Sequence, residues 1–308
     1  MRLLTRALAC SVVAHYSMQQ LPFLPEVISP SGVVAGTDEV SRPVMWTART
    51  GVRKLPVPKG FHSAEPVAIT ASGQIVVDAF DAQHRNRGAF VYSGSSPAAL
   101  PGEQTFVHGA SPSGLVLGEW VPAGEARAQA VYWSNNVPHV LELCCGGTLK
   151  AANRSGVMVG EAYDEQGQYH AFAWDGPLRK PRLIVPDRYS AAIAINNSGD
   201  ILIQAGREVY LEHGGQLRAL QLAPGTVNTA RSMNNCGVIV GGYGPDSDRY
   251  RGFLWSATGG FHDVNSLIPP DSGWTIQDAL AINDRGEIIG KSTRHREEAG
   301  FVLTPVAH

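Results

Sequence analysis

Apolar and polar positions along the chain follow one pattern that recurs seven times. Each copy has an apolar residue, a short polar turn, a glycine and then three or four mostly apolar residues, as in "AINDRGEIIG" at 281–290. The turns begin at Ser29, Thr70, Ser111, Asn153, Asn196, Asn234 and Asn283, and each turn glycine lies three residues later. Because these glycines are 38 to 49 residues apart, the pattern predicts an architecture built from one repeated unit.

All seven turns have Ser, Thr or Asn at the first position and Gly three residues later. Backbone geometry explains why these residue types recur. A Ser, Thr or Asn side chain can hydrogen-bond the backbone two residues further on. A glycine suits a position with positive φ, where a Cβ atom would be strained. We therefore interpret the seven turns as hairpin connections and not as catalytic positions.

Each turn is followed by a short aromatic segment and, in most units, by a fourth strand-like run. The aromatic segments close on Trp46, Tyr92, Trp133, Trp174, Leu211, Trp255 and Leu303. Large side chains at one repeat position suit packing between sheets, so we predict that they form the core between units. The fourth runs, such as 140–143 and 261–267, are bounded by Gly or Pro, as strands usually are.

Four antiparallel strands in about 42 residues match one blade of a β-propeller. No segment has a sustained 3.6-residue period, which argues against crossover helices. The seventh unit lacks a fourth strand, whereas residues 16–22 resemble a strand placed just before the first unit. The sequence therefore predicts an all-β, seven-bladed propeller of four-stranded antiparallel blades, whose last blade is closed by an N-terminal strand that covers an exposed sheet edge.

Composition limits the remaining possibilities. The seven units occupy nearly all of the 308 residues, which predicts a single propeller domain over 15–308. A net charge of −2 with 17% charged residues provides no basic stripe for nucleic acid. No apolar run approaches the 18 residues that a membrane span needs. We expect a monomer.

Residues 1–14 differ from the repeats and resemble a short secretory signal. They contain two arginines, then an apolar stretch over 7–14 that ends in small residues. This predicts export to the periplasm or the cell exterior. The alternative is an extra strand or a disordered leader on a cytoplasmic protein. The four cysteines show no metal-binding spacing, and a disulfide between Cys236 and either Cys144 or Cys145 stays open.

Several phrases resemble the HAF-repeat family, a group of repeat proteins regarded as extracellular. They are "SGWTIQDALAINDRGEIIG" at 272–290, the literal "HAF" at 170–172 and the opening from Tyr16 to Leu21. The resemblance covers nearly the whole chain and is specific at repeats four, six and seven. Repeats one to three depart from it, with Ser-Pro or Thr-Ala in place of the Asn pair. The resemblance implies a repeat architecture and export, and it supplies no catalytic residues.

In such a blade, the loops between strands two and three lie on the same face as the linkers between blades. We name this the long-loop face, because the polar turns on the opposite face are short and uniform. Loops that vary on a rigid scaffold commonly carry function, and Arg, Tyr and Trp are typical of interface hot spots. The candidate binding residues on this face are His84, Arg85, His108, Asp164, Tyr169, His170, Arg249, Tyr250, Trp274, His295 and Arg296.

Two functions fit these observations. The first is a non-catalytic, exported binding propeller that holds a protein or glycan partner on the long-loop face. The second is a propeller enzyme, such as a lyase or glycoside hydrolase, with His, Asp and Glu residues converging in the central channel. The sequence contains no linear catalytic motif and predicts no catalytic residue, cofactor or metal, so we favour the binding function.

Overall fold

A ring of seven antiparallel sheets, each with four strands, makes up the part of the chain that the structure describes. The computed structural model describes residues 15–306 except 84, 103, 123, 125–126, 177–179, 186–187, 247–248 and 295–296. The predicted signal at 1–14 lies outside the described residues. The predicted all-β, seven-bladed propeller is confirmed.

The first four blades follow in chain order. Blade 1 contains β2 (Leu24–Ile28), β3 (Val34–Thr37), β4 (Pro43–Thr47) and β5 (Gly51–Lys54). Blade 2 contains β6 (Ser63–Ile69), β7 (Ile75–Phe80), β8 (Asn86–Ser93) and β9 (Ser96–Ala99). Blade 3 contains β10 (Thr105–Ala110), β11 (Val116–Trp120), β12 (Gln129–Ser134) and β13 (Val137–Val140). Blade 4 contains β14 (Gly147–Ala152), β15 (Met158–Tyr163), β16 (Tyr169–Trp174) and β17 (Arg182–Leu183).

The last three blades complete the ring. Blade 5 contains β18 (Ala191–Ile195), β19 (Ile201–Ala205), β20 (Glu208–His213) and β21 (Gln216–Ala219). Blade 6 contains β22 (Val227–Met233), β23 (Ile239–Gly244), β24 (Arg251–Ser256) and β25 (Gly260–Asp263), followed by a 3-10 turn at Val264–Leu267. Blade 7 contains β26 (Thr275–Ile282), β27 (Ile288–Arg294), β28 (Glu297–Pro305) and the N-terminal β1 (Tyr16–Leu21).

The N-terminal strand closes the last blade, as the sequence predicts. β1 pairs antiparallel with β28, from Tyr16 opposite Pro305 to Leu21 opposite Gly300. Tyr16 packs into the core between blades 6 and 7, whereas Leu21 packs into the core between blades 7 and 1. Successive strand residues point to opposite faces of the sheet, so this one strand stabilises both neighbouring interfaces.

The aromatic closing residues form the predicted core between blades. Trp46, Tyr92, Trp133, Trp174 and Trp255 are all buried, and each belongs to a core cluster that contains residues of two adjacent blades. The first strands of neighbouring blades contact each other around the ring, including β2 with β26. The first strands therefore line the central channel, and the aromatic segments lie further out.

The seven turns have the predicted positive φ at glycine, from 71° at Gly237 to 91° at Gly114. Their side-chain bonds extend further than expected. In every turn the first side chain accepts a hydrogen bond from the backbone N–H four residues on, as in Val238 N to Asn234 Oδ1 at 3.0 Å. In the last three turns it also accepts from the predicted position two residues on.

The Asn residues of the later turns also connect neighbouring blades. Asn234 Nδ2 donates to the carbonyl of Asn283 at 3.1 Å, and Asn283 Nδ2 donates to the carbonyl of Ser29 at 3.1 Å. The next residue adds a second link, since Asn197 N donates to Asn235 Oδ1 at 2.8 Å. These bonds give a structural reason for the Asn pairs in the later repeats, consistent with our interpretation of the turns.

In blades 3 and 6 the fourth strand begins earlier than predicted, and in blade 6 it is also shorter. The run at 140–143 was expected to be a strand, but β13 ends at Val140, because pairing starts directly after a tight turn. The run at 261–267 is strand only as far as Asp263. There the Asp263 carboxylate accepts from Asn265 N at 2.9 Å and starts the 3-10 turn.

Two further sequence-based expectations can be compared with the described residues. Cys144 and Cys145 both carry free thiols, so neither is bonded to Cys236. None of the helical segments described is long and apolar enough to cross a membrane.

Candidate functional site

The channel wall has the same distortion in every blade. The first strand contains a β-bulge at the same repeat position, where one residue has no partner in the ladder with the second strand. That residue lies three positions before the turn residue, and bulges re-aim side chains in this way. In blade 7 a second irregularity leaves Gln277 unpaired in the ladder as well. The seven bulge residues are Glu26, Val67, His108, Lys150, Ile193, Arg231 and Leu280. Four of them are ionisable and belong to the strands that line the channel.

A second set of residues, polar in every blade except blade 6, lies beside the bulges. It occupies the second strand, five residues after the turn glycine, and comprises Thr37, Asp78, Glu119, Glu161, Gln204, Gly242 and Lys291. Several of these side chains reach the next blade. Asp78 Oδ1 accepts from Val107 N at 3.2 Å, and Gln204 Oε1 accepts from Ala230 N at 3.1 Å. Polar groups of the channel wall therefore also hold the blades together.

Blades 3 and 4 form one charged cluster in the channel. Lys150 Nζ donates to Glu161 Oε2 at 3.1 Å, and Thr148 Oγ1 donates to Glu119 Oε2. His108 Nε2 lies 4.0 Å from Glu119 Oε2. The imidazole keeps 36% of its side-chain surface accessible, but that surface faces a channel walled by protein. Burial, assisted by the Lys150 charge and opposed by Glu161, lowers the pKa of His108 to about 4.

Blades 6 and 7 border an open cavity of about 480 Å³. Its lining residues are Val227, Arg231, Asp246, Tyr250, Gln277, Asp278, Lys291 and Glu298. Arg231 donates to Asp278 Oδ2 through Nη2 at 2.9 Å and Nε at 3.2 Å. Burial raises the pKa of Asp278, although the Arg231 charge opposes the shift. The Tyr250 ring occupies the space that a side chain at Gly242 would fill.

Blades 1 and 2 contribute two more carboxyl groups. Glu26 Oε1 accepts a hydrogen bond from Thr37 Oγ1 at 3.2 Å, and Oε2 is buried without a partner among the described residues. Burial and the neighbouring Glu65 raise the pKa of Glu26 to about 8, against the opposing effects of Thr37 and Lys291. The Glu26 side chain is therefore mostly protonated, and uncharged, at neutral pH.

Two predicted site residues, His170 and Asp164, form a structural pair at the rim. His170 is buried, and its Nε2 lies 3.0 Å from Asp164 Oδ2. Its Nδ1 lies 3.1 Å from the carbonyl oxygen of Arg188 and 3.3 Å from that of Val185. Three acceptors surround the two ring nitrogens, and one of them is a carboxylate oxygen. This arrangement suits an imidazolium, which has two N–H donors. The pair therefore fastens a long loop of blade 4 to the linker that leads to blade 5.

The stability that this pair provides should depend on pH. Burial lowers the pKa of His170, but the bonds to Asp164, Arg188 and Val185 outweigh it and raise the pKa above its ordinary 6.5. The bond from His170 is the main cause that lowers the pKa of Asp164 below 3.8. Protonated His170 stabilises the fold at low pH, and this contribution is lost as the pH rises through the raised pKa of His170. Ionised Asp164 stabilises the fold at higher pH, and this contribution is lost as the pH falls through the lowered pKa of Asp164.

We therefore expect Asp164→Asn to lower the melting temperature most between about pH 4 and pH 6.5, by roughly 1–3 °C, and less at pH 8.5. Differential scanning fluorimetry across this range measures the effect. Glu165→Gln is the matched control, because Glu165 is the exposed neighbour of Asp164. An equal loss at pH 5 and pH 8.5 would contradict the assigned imidazolium–carboxylate pair.

Three tyrosines form an exposed aromatic cluster on the long-loop face, beside the His170 pair. The Tyr169 and Tyr189 ring centroids are 5.2 Å apart with a tilt of 55°, and those of Tyr163 and Tyr169 are 6.4 Å apart at 76°. Tyr169 is 38% and Tyr189 is 52% exposed. Burial, followed by the charges of Glu161 and Glu119, raises the pKa of Tyr163. The tyrosine cluster therefore extends from the rim towards the charged channel of blades 3 and 4.

The other candidate residues are dispersed around the ring. Arg85 is bound within its own loop, with Nε 2.9 Å from Asp81 Oδ2. Arg249 pairs with Asp246 of its own loop at 2.5 Å. Arg294 lies over the Trp274 ring with its Cζ 5.5 Å from the centroid. Tyr250 lines the blade 6–7 cavity, and His108 lies inside β10 instead of on a linker. His84, His295 and Arg296 lie outside the described residues.

Sequence reasoning missed most of the channel residues, including Glu26, Lys150, Arg231 and Asp278. The sequence does contain a signal for four of the seven bulge residues. In those repeats an ionisable residue lies three positions before the turn, within a mostly apolar segment. The described histidines do not converge, since His108 faces the channel and His170 is buried in the rim. Within the described residues, no group of three or more His, Cys, Asp or Glu side chains could hold a metal ion.

Known proteins with this architecture define the class to which the fold belongs, that of seven-bladed β-propellers. An inactive variant of virginiamycin B lyase from Staphylococcus aureus, solved with quinupristin, aligns with a TM-score of 0.59 and 11% identity over 95% of this chain and 100% of that chain. A prolyl endopeptidase aligns with a TM-score of 0.63 and 11% identity over 100% of this chain and 53% of that one. YCF48 bound to the D1 peptide aligns with a TM-score of 0.55 and 11% identity, over 95% of both chains.

These similarities are too distant in sequence to carry more than the fold. No family model matches the chain, so the resemblance to the HAF-repeat family stays a prediction. No curated protein matches it either. The function must therefore be argued from the residues themselves.

Proposed function

We propose that this protein is a non-catalytic binding propeller that holds a protein partner on its long-loop face. The observation that carries the proposal is the tyrosine cluster of Tyr163, Tyr169 and Tyr189. Tyrosine provides a large contact area and a hydroxyl group, and it is enriched among the residues that dominate binding energy. The cluster is exposed on an otherwise rigid scaffold, so little ordering is required when a partner binds.

The geometry of the cluster favours a protein over a glycan. The three rings are tilted by 55° and 76° relative to each other, so they form a faceted surface and not a flat stacking platform. Charged groups surround it, including the exposed Glu165 and the Arg188–Glu208 ion pair at 2.9 Å. An aromatic centre with a polar rim is the usual organisation of a protein interface.

The binding function also fits the channel better than catalysis does. A propeller enzyme of the kind considered would bring histidines and carboxylates into hydrogen-bonding contact. In the channel, His108 Nε2 lies 4.0 Å from Glu119 Oε2, which is beyond hydrogen-bonding distance. Most other channel groups are bound to each other, as Lys150 is to Glu161 and Arg231 is to Asp278, and these pairs stabilise contacts between neighbouring strands and blades.

We expect the double variant Tyr169→Ala/Tyr189→Ala to weaken partner binding at least tenfold, because truncating hot-spot tyrosines commonly costs about 1–2 kcal/mol or more each. The immobilised protein would be exposed to extracellular or periplasmic extract, since residues 1–14 predict export. Quantitative mass spectrometry would identify the retained proteins, and the purified partner's affinity would be measured by calorimetry.

The matched control is Leu217→Ala, which removes an equally exposed apolar residue (42%) from the outer strand of blade 5. A partner is assigned to the tyrosine cluster if the wild type and the Leu217→Ala variant retain it and the double variant does not. Retention of the same proteins by all three would reject the proposal. Retention of polysaccharide alone, lost in the double variant, would assign the face to a glycan.

A further inference from the structure

A large cleft lies at the seam where the ring closes, on the side of the short turns. We call it the seam cleft. It has a volume of about 800 Å³ and opens between β28 and β1 of blade 7 and β4 and β5 of blade 1. Trp46 and Val302 form its floor, and both belong to the core between these blades. Thr47 and Thr50 supply hydroxyl groups at its edge.

The seam cleft is strongly cationic, although the protein has a net charge of −2. Three arginines line it, Arg49, Arg53 and Arg285, against the single lining carboxylate of Glu287. Glu287 is already bound, because its Oε2 lies 2.6 Å from Arg285 Nη2 and 2.6 Å from Asn283 Nδ2. No carboxylate among the described residues pairs with Arg49 or Arg53, so the seam cleft keeps about two uncompensated positive charges.

The Arg285 side chain in this cleft is not required by the turn that carries it. The turn position that Arg285 occupies in blade 7 holds Ser or Cys in the other six blades, namely Ser31, Ser72, Ser113, Ser155, Ser198 and Cys236. Arg53 donates through Nη2 to the carbonyl of Gly94 at 3.3 Å and contacts the Met45 sulfur at 2.9 Å. These contacts orient the guanidinium and leave its other N–H groups as donors. Arg49 is exposed on the loop between β4 and β5.

We propose that the seam cleft binds a small organic oxyanion, a carboxylate or phosphate carried on a compact apolar body. The planar guanidinium groups of Arg49 and Arg53 match the paired oxygens of either anion, and such charge-assisted bonds are stronger than neutral ones. The apolar body rests on Trp46 and Val302. The proposal is independent of the partner on the long-loop face, because the two sites lie on opposite faces of the ring.

The probes are phenyl phosphate, benzoate and inorganic phosphate, with benzylamine as a cation of similar shape. We expect at least one of the aromatic anions to bind in calorimetry and raise the melting temperature, because it crosses the seam between blades 7 and 1. Preference for phenyl phosphate over benzoate identifies a phosphate site, and the reverse preference a carboxylate site. Inorganic phosphate should bind more weakly than phenyl phosphate, since it lacks the apolar body.

Arg49→Gln and Arg53→Gln should each weaken binding of the preferred anion about tenfold. Arg218→Gln is the matched control, an exposed arginine on the fourth strand of blade 5, and should leave the affinity unchanged. Arg49 lies on an exposed loop, so its substitution tests the site without loss of the fold. Absence of binding by every anion, equal binding of benzylamine, or unchanged affinity in both variants would overturn the proposal.

Discussion

Replacing Leu21 and Tyr16 with alanine should destabilise the whole propeller, although both residues lie on a short N-terminal strand. Leu21 is 1% and Tyr16 is 3% exposed, and they pack into the cores on opposite sides of blade 7. Truncation of a buried leucine or aromatic residue commonly costs about 2–5 kcal/mol. The double variant should therefore lose roughly 6 kcal/mol, a large part of the 5–15 kcal/mol typical of a folded domain.

Urea denaturation followed by tryptophan fluorescence measures this loss as a shift of the midpoint. Leu217→Ala is the control for leucine truncation, because Leu217 also lies on the outermost strand of a blade but is exposed. Ser17→Ala tests β1 itself at an exposed position, where the hydroxyl donates to the carbonyl of Thr304 at 3.3 Å. If the Leu21→Ala/Tyr16→Ala variant unfolded at the same urea concentration as the wild type, ring closure by β1 would not stabilise the protein.

The features of the fold that could be predicted are those that the chain repeats locally. A turn residue and a glycine three positions later recur with little variation, and the aromatic segment follows at a limited distance. The seventh repeat lacks a fourth strand of its own, and the strand-like segment at the N-terminus could be recognised in the sequence as its replacement. The fourth strands were located less accurately, because they are exposed outer strands with few apolar residues, as in Ser96–Ala99.

The channel and the seam cleft were harder to predict, because their residues meet only after the ring closes. Arg53 and Arg285 line one cleft from opposite ends of the chain. Arg231 and Asp278 form one ion pair between consecutive blades. Both lie in or beside β-bulges, and the alternation of polar and apolar residues in the sequence does not reveal where these bulges are. The presence of histidine did not predict the site, although histidine is a common catalytic residue. His170 is buried and holds a loop at the rim in place.

Glu26 gives the second large effect that we expect, a dependence of stability on pH. The pKa of about 8 in the folded protein exceeds the ordinary 4.5, because the carboxyl group is buried and lies near Glu65. Protonated Glu26 therefore contributes its full stabilisation below pH 4.5, and that contribution is lost as the pH rises through about 8. The wild type should thus lose about 1.4 kcal/mol of unfolding free energy for each pH unit in this window, or roughly 3–5 kcal/mol in all.

Glu26→Gln should remove this slope, because glutamine has the shape of the protonated acid and does not ionise. Urea unfolding at pH 5, 7 and 9 would then show a variant that gains stability relative to the wild type as pH rises. The control is Glu39→Gln, at an exposed glutamate on a loop of the same blade, which should follow the wild type at every pH. Parallel pH profiles for the wild type and Glu26→Gln would mean that Glu26 is ionised in the channel. The Lys291 charge would then outweigh the burial of Glu26 and its repulsion by Glu65.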